Sequence, residues 1–192
     1  MQTIQQSISD SMRVLEKWTE AQTGTVHDVT TAEMLATMRE LLASDLSARG
    51  FMAALSTSQI ELSGDFLKAL KEAVNEHPTV SHDLIVKNII MSATASIQHR
   101  NSGKTEQALA SQAVSERNCR LAELLSNEGL DATLKAASTA IESFEKRLAD
   151  SSVATSETDQ TNDYWHKFFR RWGYSRELLL EVRSTYSSSF ST

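Results

Sequence analysis

One proline, Pro78, and six glycines are all that punctuate 192 residues. These two residue types end helices, glycine through its backbone freedom and proline by removing an N–H donor and crowding the preceding turn. A chain this poor in both, and rich in Ala, Leu, Ser, Glu and Gln, has few places to stop a helix once it has begun. The expected fold class is all-α. The length suits one domain, or one domain with an extension, and is ample for a sizeable core.

Apolar periodicity places the helices. Residues 2–22 carry Ile4, Ile8, Leu15 and Trp18, with Met12 beside them, and the Gly24 region ends the segment. Thr30 and Glu33 match a capping box for a second helix, whose buried face is Met34, Leu35, Met38, Leu41, Leu42 and Leu46. Gly50 marks a break or bend before Phe51, Met52 and Leu55. Asp65 opens a third helix with Phe66, Leu67, Leu70 and Val74, and Pro78 separates it from a fourth, about 80–100. That fourth segment is apolar around most of its circumference, which predicts a central position. Asn101-Ser102-Gly103 turns it into an antiparallel hairpin with a fifth helix reaching Asn127. Asn127-Glu128-Gly129-Leu130 reads as a glycine stop, and a sixth helix follows over 131–149. The expectation is a helical bundle of about six helices in residues 1–149, an acidic Ser/Thr-rich linker at 150–161, and an aromatic C-terminal helical segment at 162–192. A last helix falls near 175–184.

Eight of the chain's twelve aromatic residues lie beyond Thr161. On a helix, Tyr164, Trp165, Phe168, Phe169 and Trp172 share a sector about 140° wide, with His166, Lys167 and Arg170 pointing the other way. Such a surface must dock on something. The default is the chain's own bundle. The next reading is a protein partner, with Trp165, Phe168, Phe169 and Trp172 as the partner-binding set. Weak peripheral membrane contact, helped by Lys167, Arg170 and Arg171, comes last.

A polar seam also lies within the hairpin. Asn88, Ser92, Ser96 and His99 fall in one sector of the fourth helix. Glu106 and Arg117 lie in the fifth among Leu109, Ala113, Val114, Leu121 and Leu124. A pivot between Ser102 and Gly103 sets His99 level with Glu106, and Asn88 with Arg117. A satisfied internal network is the simpler outcome. A small pocket for a polar or anionic ligand is the other, with Asn88, Ser92, His99, Glu106 and Arg117 as its binding residues.

Catalytic chemistry finds no motif. Cys119 is the only cysteine, so neither an internal disulfide nor a multi-cysteine metal site can form, and it falls opposite the fifth helix's apolar stripe. His77 and His82 straddle Pro78, no HExxH occurs, and His82-Asp83 lacks the further ligands a metal hydrolase needs. No metal site and no cofactor is expected. A net charge of −6 argues against nucleic acid. No apolar run approaches the roughly 20 residues of a transmembrane helix, and the first residues lack a secretory pattern, so a cytoplasmic location is expected.

Two narrow seams, Leu130-Leu134-Ala137-Ile141-Phe144-Leu148 and Ile4-Ile8-Ser11-Leu15-Trp18, suit pairing with each other or with a second copy in a homodimer. The functional expectation is a non-enzymatic helical interaction or adaptor protein. The alternative is a small polar-ligand-binding or lyase-like helical protein that uses the seam.

Overall fold

The computed structural model describes residues 3–24, 29–144 and 157–186. The chain divides into two compact units, Met1–Asn88 and Ile89–Thr192. The fold is all-α. Among the described residues there are nine helices: α1 (Ile4–Gln22), α2 (Thr31–Leu42), α3 (Asp45–Thr57), α4 (Gly64–Glu76), α5 (Pro78–Asn101), α6 (Thr105–Leu125), α7 (Glu128–Ser143), α8 (Glu157–Arg171) and α9 (Arg176–Thr185).

Nine helices correct the expectation of a bundle of about six with an extension. The segment expected to run from Thr30 past Gly50 is two helices. α2 ends at Leu42, and Ser44 caps a new start by accepting the Ser47 N–H at 3.3 Å. A serine followed by an aspartate in the first turn is a sound N-terminal signal, and it outweighs the continuing apolar pattern. Gly50, where the break was expected, sits inside α3. Asn127 likewise begins a helix where a stop was expected, its side chain accepting the Leu130 N–H at 3.0 Å. α8 starts at Glu157, so residues 157–161 of the expected linker are helical, while 150–156 lie outside the described residues. So do 145–149, the expected end of the sixth helix.

In the first unit, α1 packs chiefly on α3, and α2 on α4. α1 buries Ser7, Ser11, Leu15 and Trp18, whereas Ile4 is exposed and Ile8 half-buried. Its stripe is therefore rotated toward small residues, and Gly50 supplies the reason. A β-carbon at Gly50 would lie 2.7 Å from the Ser7 backbone carbonyl carbon. Only glycine permits this approach, which offsets its cost of about 1 kcal/mol inside a helix. Trp18 stacks at 5.8 Å on Phe66 of α4, and the Gln22 amide makes two 3.0 Å bonds with the Glu61 backbone. Arg39 of α2 grips Glu76 of α4 with Nε at 2.6 Å from Oε2. Pro78 is the first residue of α5, where its missing N–H is no loss.

The second unit holds the rest of α5, then α6 to α9. The Ser96 hydroxyl donates to the Ala108 carbonyl at 3.0 Å and ties α5 to α6. α6 buries Ala108, Ser115, Asn118, Cys119, Leu121, Ala122 and Leu125. This shifts the expected phase: Leu121 is buried as expected, but Leu109 is 60% exposed, and Cys119, expected outside, is buried. Leu130, Leu134, Ala137 and Ile141 of α7 are buried, and α7 carries both α8 and α9. Leu15 and Trp18 of one narrow seam, and Leu130 to Phe144 of the other, are thus covered inside their own units, while Leu148 lies outside the described residues.

Candidate functional site

The aromatic module is built on α7. Trp165 and Phe169 are almost wholly buried, and Phe168 nearly so. Phe144, just past the end of α7, meets Phe169 edge-on at 5.3 Å. Phe168 meets Tyr174 edge-on at 6.2 Å. Gly173, at φ +65°, lets the chain turn so that Tyr174 N–H reaches the Phe169 carbonyl at 3.1 Å. This is the glycine-ended helix geometry that satisfies terminal carbonyls. It returns Tyr174 to the cluster that α8 has just built. Burial pushes the Tyr174 hydroxyl above its ordinary range, partly opposed by a hydrogen bond with Thr94.

His166 was expected on the polar side of α8 and is instead buried. Its Nε2 lies 2.9 Å from the Ala140 carbonyl and 3.2 Å from Ser143 Oγ, and its ring touches Phe144 and Phe169. The buried face of α8 is rotated toward His166 relative to the aromatic sector. α9 is locked to α7 by Arg183, whose Nε donates to Ser138 Oγ at 2.8 Å and whose Nη2 pairs with Glu142 at 2.6 Å.

That rotation leaves an aromatic edge outside. Tyr164 is 46% and Trp172 50% exposed. Tyr164, Phe168 and Trp172 recur every fourth residue along one side of α8, and the rings of Phe168 and Trp172 stand 6.5 Å apart. Trp172 follows the last residue of α8 and is half exposed. Arg171 is exposed beside this edge, and Lys167 and Arg170 are exposed further round α8. Asp163 pairs with Lys167 at 2.6 Å, which holds its carboxyl below the usual carboxylate range. Of the four residues expected to meet a partner, Trp165, Phe168 and Phe169 serve the unit's interior, and Trp172 remains open.

The residues of the expected polar seam fall in both units. Asn88 belongs to the first unit, half-buried, and donates to Ser56 Oγ at 3.3 Å. Ser92, half-buried in the second, bonds back to the Ile89 carbonyl of its own turn at 3.3 Å. His99 is half-buried, and Glu106 is exposed in the first turn of α6. Arg117 is half-buried, and desolvation pushes its guanidinium below the ordinary range. Glu106 does not face an interior because the buried side of α6 lies opposite it.

Open depressions lie on both units. In the first, about 280 Å³ lie over Met12, Leu15 and Thr57. In the second, about 490 Å³ lie over Arg100, Glu116, Cys119 and Tyr186. Neither lining contains a histidine. No group of three or more His, Cys, Asp or Glu among the described residues could hold a metal ion. No helix among them is long and apolar enough to cross a membrane.

Fold and site define an all-α helical protein with a C-terminal aromatic cluster and no constellation that looks catalytic among the described residues. The model of the family described as "Uncharacterised conserved protein UCP020893" matches residues 3–187, and the chain belongs to that family. No curated protein and no solved structure matches the chain.

Proposed function

We propose that this is a non-enzymatic helical interaction protein, an adaptor that meets a protein partner through the outer edge of α8. One observation carries the reading: Tyr164 and Trp172 are about half exposed, on a helix whose remaining aromatics are anchored in its own core. Trp and Tyr dominate interface hot spots because they bury large areas at little conformational cost. The buried rings hold α8 rigid, so the exposed ones need little ordering on binding. Arg171 supplies a charged rim beside the exposed rings, as such a site requires. A cytoplasmic setting is part of the proposal, supported by a lone cysteine kept as a buried thiol.

Affinity capture with the parent chain and with a Tyr164→Ala/Trp172→Ala variant tests this reading, circular dichroism first showing that both are folded. A captured partner should bind the double variant at least about tenfold more weakly, as expected for loss of hot-spot aromatics. Equal capture by both proteins, or capture by neither, overturns the proposal.

A further inference from the structure

α6 also carries exposed residues on the side away from its buried one. Its buried residues are Ala108, Ser115, Asn118, Cys119, Leu121, Ala122 and Leu125, which centre on one side of the helix with Leu121 at its flank. At 100° per residue the opposite side centres on Ala113 and carries Glu106, Leu109, Ala110, Arg117, Arg120 and Leu124. Leu109 is 60% exposed there, the most exposed large apolar side chain among the described residues. Ala110 and Ala113 are exposed as well. A leucine so open, set between charges of opposite sign at the two ends of one helix face, resembles half of a self-complementary surface.

We propose that α6 pairs antiparallel with α6 of a second copy of this chain, about a two-fold axis at Ala113, through Leu109 and reciprocal Glu106–Arg120 ion pairs. The charge pattern selects both partner and direction. Glu106 and Arg120 each stand seven residues, two helical turns, from Ala113. Antiparallel pairing about that residue therefore sets each glutamate against the other copy's arginine. Parallel pairing would set glutamate on glutamate and arginine on arginine, which is repulsive. The alanine at the axis admits close approach of the two helices, and Leu109 is covered by the aliphatic stems of Arg117 and Arg120 from the other copy. Such an isologous contact closes after two copies. Glu106 and Arg120 are both exposed, so forming the pairs requires no unpacking. Arg120 lies 3.1 Å from Glu123 on its own helix and would exchange or share that surface pair. The proposal is independent of the α8 edge, which lies on another helix.

Sedimentation equilibrium on the full chain tests it from about 5 to about 200 µM, the range suited to an interface below about 1,200 Å². The parent should dimerise. Leu109→Glu, Glu106→Arg and Arg120→Glu should each weaken dimerisation at least tenfold while leaving the circular dichroism spectrum unchanged. The double variant Glu106→Arg/Arg120→Glu restores opposite charges across the axis and should dimerise again. A parent that stays monomeric throughout, a Leu109→Glu variant that dimerises like the parent, or a double variant no better than the single ones overturns the proposal.

Discussion

His166 of α8 reaches across to Ala140, whose carbonyl oxygen lies 2.9 Å from its Nε2 in the last turn of α7. A carbonyl can only accept, so Nε2 carries the proton. The last four carbonyls of a helix have no partner further along it, and this side chain satisfies one of them. His166→Phe keeps an aromatic ring against Phe144 and Phe169 but leaves the Ala140 carbonyl only the Ser143 hydroxyl, at 3.3 Å. Urea melts should show a loss of about 1 kcal/mol. An unchanged midpoint would mean that the contact contributes nothing net.

Trp165 and Trp172 are seven residues apart and should behave as opposites. Trp165→Ala removes a fully buried ring and should cost about 3–5 kcal/mol in denaturant melts. Trp172→Ala should stay within about 0.5 kcal/mol, as surface changes do. Variants that retain one of the two as the sole tryptophan give a second readout. Emission from Trp165 should be blue-shifted and that from Trp172 close to the fully hydrated position.

Gly50→Ala should be disruptive, although alanine is the better helix former. The added methyl overlaps Ser7 of α1, including its backbone, so the two helices must move apart. Overpacking of this kind costs about 1–3 kcal/mol. A melting temperature equal to or above the parent's would show that α1 yields without strain.

Acid should weaken both units through a few carboxylates. Glu76 is held below its ordinary range by the Arg39 hydrogen bond, Glu33 by the Thr30 backbone N–H, and Asp163 by Lys167. A depressed folded-state value gives stabilisation that is present above the unfolded value, about pH 4, and lost as pH falls through the folded one. Melting temperature should thus decline below about pH 4.5. In Arg39→Met the contribution of Glu76 disappears, so the acid decline should be shallower. Equal slopes in parent and variant would contradict the assignment.

Arg117→Ala should cost only about 1 kcal/mol, the usual scale for a partly buried position. The loss of several kcal/mol that a deeply buried ion would give is not expected, because Arg117 is half-buried on a face turned from the core. Thermal melts decide between the two magnitudes.

Helix class and several helix starts were legible because they rest on local chemistry. Thr30 and Glu33 form both halves of their capping box, at 3.2 Å and 2.9 Å. The phase of α6 was not legible. Its buried side mixes Ala, Ser, Asn and Cys with Leu121 and Leu125, while Leu109 is exposed. Small polar residues enter a core when their groups find nearby backbone, as Asn118 does in donating to the Val114 carbonyl at 3.0 Å. Hydropathy gives such residues no credit. The same blindness hid His166, which lies inside for the sake of a carbonyl on another helix. The aromatic cluster itself was plain in the sequence. Its exposed margin depended on where α8 ends and how it rolls on α7, and both are set by tertiary contact.

The alternate pairing in the first unit, α1 with α3 and α2 with α4, has a consequence for the order in which the chain is made. Leu15 and Trp18 leave the ribosome with no surface to cover them until residues 45–57 have followed. At about 5–20 residues per second that interval lasts on the order of seconds. The nascent chain passes through a stage in which a formed amphipathic helix waits, apolar side outward, for a partner still being synthesised. Ribosome-bound chains stalled before Ser44 emerges should therefore bind a hydrophobic-surface-seeking chaperone more strongly than chains stalled after Glu76 has emerged.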